Sequence, residues 1–363
     1  MDVDRLNSLP LPDLFAALRC QAHLGRLLEL ARDEDLGTPG WDITTLASVP
    51  AGTTATAKLV ARENLTVSGL ACLPGLLAAF APGVVARTHT VDGRFAPKSS
   101  VLAEFSGRLD DILALERTTL NMLSRLSAIA TLAAEFTRRI EGVGRARIYD
   151  TRKTTPGWRV LEKYAARCGG AMCHRVGLFD AVLLKDNHIT GVPLSDLARF
   201  VAAAAARARA LSLQERRPLS FVELEVDSLD QFESILAAGG CGVDIVLLDN
   251  MTPELLRRAV DLRDRSNLGI LLEASGGVRL ETVAAIDHRY GASLATLFLA
   301  IPLAAVLICD LAISHGITWS AYVLGAGACV CCWVLLPFYL EIRKPYLYIA
   351  ADAGLVVVDV NDP

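Results

Sequence analysis

The chain has 363 residues, with 36 basic and 40 acidic side chains and a net charge of −4. That length suffices for two domains with sizeable cores. The charge balance excludes bulk attraction to nucleic acid, so an anion site must be assembled locally from a few converging cations. Nine cysteines are scattered without a paired spacing, and Met1–Leu18 lacks the make-up of a secretory signal. Reduced thiols in a cytoplasmic setting are therefore expected.

In chain order, Thr54–Val67 reads as a strand, Leu70–Phe80 as a short helix, and Val84–Val91 and Val101–Phe105 as strands. A long helix is expected over Asp110–Glu141, with Leu120, Leu123, Leu126, Ile129 and Leu132 along one side. A boundary near Ser127 divides a first domain, 1–126, from a second, 127–288. In the second domain, short apolar runs end in a charged residue: Arg147–Asp150, Ala181–Lys185, Phe221–Glu225, Ile245–Asp249 and Ile270–Glu273. Helical patterns at Leu194–Leu211, Leu229–Ala238, Pro253–Arg265 and Leu280–Ile286 accompany the later ones. Alternating strands and helices predict a parallel sheet covered on both faces. In a closed βα barrel the reactive groups gather at the carboxyl ends of the strands, where Asp150, Lys185, Glu225 and Asp249 stand. The alternative is an open doubly wound sheet, but no Gly-x-Gly-x-x-Gly follows the first strand.

The mean hydropathy of +0.38 is high, and the excess lies after Ile286. Tyr290–Cys309 and Trp319–Leu340 carry no charge, and each is near the ~20 residues that cross a bilayer. Residues 289–363 are therefore expected to be an apolar tail with two membrane-type helices, a helical hairpin giving possible membrane contact. Arg289 before the first run and Arg343 with Lys344 after the second place both ends on the cytoplasmic side. Two buried core helices are the alternative.

Cations are dense in the loops after the barrel strands: Arg152 and Lys153, then Arg167, His174 and Arg175, then Lys185 and His188. A lone Arg or Lys is usually a solvated surface charge. Several at one end of a barrel repel one another until an anion offsets them, and the planar guanidinium suits carboxylates and phosphates. Glu225 and Asp249 suit magnesium or sugar hydroxyls, or else a structural pair with a neighbouring Lys. Ser275-Gly276-Gly277, between a strand and a helix, suits phosphate. Cys168, Cys173 and His174 lack the second pair that zinc needs, and no serine-histidine-acid set is present.

Several stretches resemble, in order and spacing, the quinolinate phosphoribosyltransferase family. They are Asp150-Thr151-Arg152-Lys153-Thr154-Thr155-Pro156-Gly157, Glu162-Lys163-Tyr164 with Cys168-Gly169-Gly170, His174-Arg175, Leu184-Lys185-Asp186-Asn187-His188-Ile189, Leu247-Leu248-Asp249-Asn250 and Glu273-Ala274-Ser275-Gly276-Gly277. Glu34-Asp35-Leu36-Gly37, Asp42-Ile43-Thr44-Thr45 and Glu116-Arg117-Thr118 with Asn121 extend the resemblance, which runs from residue 1 to about 286.

The resemblance implies an amino-terminal α/β sandwich and an open, incomplete α/β barrel in a homodimer. It implies a pentosyltransferase, nicotinate-nucleotide diphosphorylase (carboxylating), that joins quinolinate to phosphoribosyl pyrophosphate. Arg117 would reach the partner's site. Thr151, Arg152, His174 and Arg175 would hold substrate, with Lys153 and Lys185 facing substrate and phosphates. Glu225 and Asp249 would take ribose hydroxyls and magnesium, largely through the substrate, and Ser275, Gly276 and Gly277 would cradle the 5-phosphate. Lys153, Glu225 and Asp249 are the implied catalytic residues. Cys173 stands where the family usually has Asn. After Ile286 the family continues with another barrel strand, a phosphate loop and a segment returning to the first domain, for which the apolar tail is read as a replacement. A membrane-tethered pseudoenzyme, and a sister protein associated with molybdenum transport genes, are the competing readings.

Overall fold

The structure is a computed structural model and describes residues 2–142, 146–284, 294–296, 338–342, 347–351 and 354–358. It begins with α1 (Val3–Ser8), α2 (Leu11–Ala17), α3 (Cys20–Leu36) and α4 (Ile43–Ser48). Next come β1 (Thr54–Ala61), β2 (Leu65–Thr66), α5 (Leu73–Phe80), β3 (Val85–Thr88), β4 (Phe95–Ala96), β5 (Val101–Arg108) and the long α6 (Leu109–Ile140). These lead to β6 (Ile148–Tyr149), α7 (Arg159–Cys168), β7 (Val182–Leu184), α8 (Asp186–Ile189), α9 (Leu194–Gln214) and β8 (Val222–Val226). Then follow α10 (Leu229–Ala237), β9 (Ile245–Asp249), α11 (Pro253–Ser266) and β10 (Leu271–Ser275). The last described strands are β11 (Leu294–Thr296), β12 (Phe338–Ile342), β13 (Leu347–Ala351) and β14 (Gly354–Val358).

Two compact units divide the chain. One takes its described residues from Pro10–Leu132, Thr155–Gly169 and Ala300–Pro363, the other from Met1–Leu9, Ala133–Thr154 and Gly170–Leu299. The division falls inside α6, five residues beyond Ser127, and it groups Thr155–Gly169 with the first unit. The reason is local: Tyr164 of α7 stacks edge-on against Phe15 at 5.0 Å and its hydroxyl donates to Asp92 at 2.9 Å.

In the first unit, four strands form an antiparallel sheet in the order β12-β1-β5-β3. Alternation makes it one-sided. Ala57 and Leu59 pair across the sheet with Phe105 and Ala103, and all four are buried, whereas Thr56 and Ser106 are exposed and join hydroxyls at 3.2 Å. Helices α3 and α5 approach closely because α5 carries Gly75, where an added Cβ would lie 2.9 Å from Leu24 Cδ2. The helix α6 has Asp110 and Asp111 in its first turn and Arg138 and Arg139 in its last, which complements its dipole.

The second unit is built on six parallel strands in the order β6-β11-β10-β9-β8-β7, so β6 and β7 are its edges. This is the parallel sheet expected from the alternating strands and helices. Side-chain parity sorts it into two faces. Leu224, Val226, Val246, Leu248, Leu272 and Ala274 form one core with Leu197 and Val201 of α9, Phe232 and Ile235 of α10, and Leu256 of α11. The alternate positions face the other way, and there Ala181, Phe221 and Ile245, at the starts of their strands, pack on Val3 of α1. Helix α1 thereby covers the amino ends of the strands, and a site is left to form at their carboxyl ends.

The expected helical hairpin lies mostly outside the described residues, and where it is described it is corrected. Leu294–Thr296, inside the first apolar run, is the strand β11, which pairs with Glu273 and Ala274 on one side and Ile148 and Tyr149 on the other. Phe338–Leu340, at the end of the second, opens β12, which pairs with β1. An uncharged apolar run can supply a pairing strand as readily as a membrane span, so composition alone misread both. The expectation that the barrel lacks a strand after Ile286 is corrected with it. No helix among the described residues is long and apolar enough to cross a membrane. The helix expected over Leu280–Ile286 is described only to residue 284.

Candidate active site

The barrel unit collects most of the predicted residues at the carboxyl ends of its strands. Asp150 follows β6 and is buried. Its Oδ1 accepts the backbone N–H of His174 at 2.9 Å, which ties the His174-Arg175 segment to the first barrel loop. Within that loop Thr151 Oγ1 accepts the Lys153 N–H at 3.0 Å, and the Arg152 carbonyl accepts the Thr154 N–H at 2.9 Å. These short-range bonds fold residues 151–154 into a tight turn.

The segment after His174 is fixed by Asp180. This fully buried carboxylate accepts the N–H groups of Val176 and Gly177 at 2.7 and 2.9 Å. On the other side, Cys173 is buried and bracketed by Asn7 of α1, whose Oδ1 accepts the Cys173 N–H at 2.7 Å while its Nδ2 donates to the Cys173 carbonyl at 2.9 Å. An asparagine is thus delivered to this backbone position from the start of the chain, and no local sequence signal announces it.

Two groups of charge emerge. Burial and the charge of Arg152 both push the Arg175 guanidinium below its ordinary pKa, against the opposing pull of Glu223, Asp180 and Glu225. Two guanidiniums close enough to disturb each other favour an anion between them. In the second group, burial and the charge of Lys185 lower the pKa of Lys153, against Asp249 and Glu225. Lys185 Nζ forms an ion pair with Glu225 Oε2 at 2.5 Å, while Asp249 Oδ2 accepts from Asn250 Nδ2 at 2.8 Å. Glu225 is felt by both groups, so the two groups adjoin.

Ser275 ends β10 and is buried. Gly276 and Gly277 follow at φ +85° and +63°, a left-handed turn that glycine adopts without steric cost. Gly276 is also required sterically, because a Cβ there would stand 2.1 Å from Asn250 Oδ1 and 2.9 Å from the Asn250 nitrogen. The Ser275 carbonyl accepts the Asn250 N–H at 2.9 Å, which joins this turn to the end of β9.

Glu223 and Glu273 were not singled out from sequence as site residues. Both are buried, and both lie close to His174 Nε2, Glu223 Oε2 at 3.2 Å and Glu273 Oε2 at 3.3 Å. Burial by itself pushes an imidazole pKa down, but the carboxylates of Glu273 and Glu223 outweigh it and hold His174 at about 10. Burial and the charge of Glu273 push the Glu223 carboxyl up to about 7. The signal was present as a period of two, Phe221, Glu223, Glu225, on a strand whose other face is Val222, Leu224 and Val226.

Arg117 is not among these residues, for it belongs to the antiparallel-sheet unit. There it is exposed on α6 and lines a cleft of about 390 Å³ with Glu34, Asp35, Asn121 and Trp158. One turn pair further along α6, Arg125 donates from Nε to Glu162 Oε1 at 2.9 Å and lies 5.6 Å from the centre of the Trp158 ring.

A parallel α/β sheet with clustered cations, a carboxylate pair and a Gly-Gly turn at the carboxyl ends of its strands has the make-up of an enzyme for an anionic substrate. Residues 42–127 match the model of the quinolinate phosphoribosyl transferase N-terminal domain and residues 129–312 that of its C-terminal domain. The second match runs past Ile286, where the resemblance had been expected to stop. The chain is 36% identical to the probable nicotinate-nucleotide pyrophosphorylase [carboxylating] of Synechocystis over 254 residues, 70% of this chain and 80% of that one. It is 38% identical to the nicotinate-nucleotide pyrophosphorylase [carboxylating] of Mycobacterium leprae over 250 residues, 68% and 82% of the two chains. Among solved structures, the nicotinate-nucleotide pyrophosphorylase from Francisella tularensis superposes with a TM-score of 0.67 at 29% identity, covering 83% of this chain and 94% of that one. The chain belongs to the quinolinate phosphoribosyltransferase family, the pentosyltransferases of pyridine nucleotide biosynthesis.

Proposed function

We propose that the protein converts quinolinate and phosphoribosyl pyrophosphate to nicotinate mononucleotide, carbon dioxide and pyrophosphate, with the barrel mouth as its active site. The observation that carries the reading is the adjacency of Arg152 and Arg175 to Lys153, Lys185, Glu225 and Asp249. The guanidiniums and His174 take the two carboxylates of quinolinate, with Thr151 shaping the loop that presents them. Lys153 and Lys185 face the phosphates. Glu225 and Asp249 accept from ribose hydroxyls and oppose the positive charge that develops on the sugar ring, and the N–H groups of the Ser275-Gly276-Gly277 turn hold the 5-phosphate.

The pyridine nitrogen attacks the anomeric carbon as the bond to pyrophosphate breaks. The cationic ring then sheds its C2 carboxylate as carbon dioxide, and the electron pair left at C2 takes a proton. Holding both reactants in line supplies much of the acceleration, and no covalent enzyme intermediate is needed. Glu225 and Asp249 are hard oxygen donors, each only partly buried, and so fit magnesium. When bound with the substrate, magnesium neutralises charge on the leaving pyrophosphate.

The expected assay result is carbon dioxide release from carboxyl-labelled quinolinate that requires phosphoribosyl pyrophosphate and magnesium. Equal turnover of nicotinate, or no turnover at all, would favour the sister-protein or pseudoenzyme readings. The homodimer belongs to the same proposal: the exposure of Arg117, outside the barrel unit, supports its acting in a second copy's site. An Arg117→Ala chain mixed with an Arg152→Ala chain should then recover part of the lost activity, since a mixed dimer regains one whole site. Absence of rescue in mixed dimers shown to form would place each site within one chain.

A further inference from the structure

We infer that Glu223 and Glu273 are positioning residues that grip His174 through its Nε2 and so fix the orientation of the ring it offers to a substrate carboxylate. This rests on the reading above that His174 binds quinolinate.

The geometry begins with strand parity. Glu223 stands two residues before Glu225 on β8, between Phe221 and the mouth, and Glu273 stands two before Ser275 on β10. Each is on the face turned away from the helices, one step below a residue assigned to the mouth. They lie on strands separated by β9, which faces the same way with Ile245 and Leu247 in register beside them. His174, from the loop after α7, comes between them with Nε2 at 3.2 and 3.3 Å.

The rest of the ring is constrained from other directions. Its backbone N–H is held by Asp150. Phe221 packs against it at a tilt with 5.0 Å between centroids, and Tyr149 meets it edge-on at 6.4 Å. A histidine held only by packing keeps the freedom to flip about its second torsion. One whose Nε2 lies within ion-pair distance of two buried carboxylates from different strands loses that attraction if it flips.

Charge makes the arrangement a device rather than ordinary packing. Two carboxylates with almost no exposure are costly unless a cation accompanies them, and His174, within ion-pair distance of both, is the cation at hand. A residue proposed to bind a substrate carboxylate is therefore the same one that offsets Glu223 and Glu273. The glutamates touch His174, not the reacting atoms, so they act through it.

A divalent cation held by the same three side chains is the competing account, since their ligand atoms all lie within 4.8 Å of one another. It is an outcome of the test.

The experiment measures steady-state constants for the full-length Glu223→Gln, Glu273→Gln and His174→Gln proteins and for the Glu223→Gln/His174→Gln double variant. Glutamine keeps the shape and removes the charge. Either glutamate variant should raise the KM for quinolinate roughly tenfold or more while leaving the KM for phosphoribosyl pyrophosphate within about twofold. In the His174→Gln background Glu223→Gln should add little. Should a variant fail to fold, the wild-type histidine Nε2 proton, observed by nitrogen-15 NMR, carries the test: it should be downfield and slow to exchange.

A His174→Gln protein with unchanged quinolinate KM would overturn the substrate reading and this inference together. A raised KM in His174→Gln with unchanged values in both glutamate variants would overturn the inference alone. So would equal rises for both substrates, a fast-exchanging Nε2 proton, or one equivalent of bound metal in the purified protein that Glu273→Gln abolishes.

Discussion

Arg125 and Glu162 offer the sharpest test of how the antiparallel-sheet unit holds α7 in place. The Glu162 side chain is 8% exposed and that of Arg125 26%. Glu162 Oε1 receives Arg125 Nε at 2.9 Å and Nη2 at 2.5 Å, while its Oε2 receives the Thr155 N–H at 3.2 Å. The same guanidinium donates to Thr155 Oγ1. Replacing Arg125 by Met leaves a nearly buried carboxylate with a single backbone donor. Breaking a fully buried pair costs about 3–5 kcal/mol. The partial exposure of Arg125 lets water soften the loss, so about 3 kcal/mol is expected, including the ~0.5–1 kcal/mol of its contact with Trp158. Replacing Glu162 by Leu as well removes the stranded charge, and the double variant should be more stable than Arg125→Met alone by about 1 kcal/mol or more. Urea denaturation of the wild type, both single variants and the double variant measures this through the transition midpoints. Single losses below about 1 kcal/mol that simply add would refute the argument.

Two further outcomes follow from the barrel unit. Gly276→Ala should weaken phosphoribosyl pyrophosphate binding about tenfold or more, because the new Cβ collides with Asn250 and the turn must open; titration calorimetry giving an unchanged affinity would mean the turn does not hold phosphate. The raised pKa of His174 makes a signed prediction: its protonated form contributes stability that is complete below about pH 6.5 and is lost as pH rises through about 10. Glu223, raised to about 7, titrates below most of that window, so the unfolding free energy of the wild type should fall by a few kcal/mol between pH 7.5 and 10 relative to that of His174→Gln. Parallel curves for the two proteins would refute it.

Much of the barrel was legible because its strands are short, apolar and punctuated. Ile245–Asp249 was read with the bounds it has, and Leu194–Leu211, Leu229–Ala238 and Pro253–Arg265 fall within a few residues of α9, α10 and α11. The ends of the sequence were less so. No element was assigned to residues 1–50, where α1 and α2 are too short to show a period and α3 mixes Gly25, His23 and several charges with its buried Cys20, Leu24 and Leu28. The contribution of Asn7 to the Cys173 backbone is a contact 166 residues apart in sequence, which no local pattern encodes.

Glu223 and Glu273 were hidden for a different reason. A charged residue at the end of an apolar run looks like the end of a strand, so Glu273 was read as a terminus although β10 continues to Ser275. The same rule made Glu225 prominent and passed over Glu223, two residues earlier on the same face. The tail shows the converse error. An uncharged apolar run serves a pairing strand as well as a membrane helix, and only pairing distinguishes them. Had β11 been absent, Glu273 and Ala274 would lie on an open edge and Ile148 and Tyr149 on another. With it in place β6 joins the sheet, and the loop carrying Thr151, Arg152 and Lys153 starts from a strand anchored through β11 to β10. The strand that hydropathy assigned to a membrane is therefore the one that joins the loop after β6 to the Ser275-Gly276-Gly277 turn after β10.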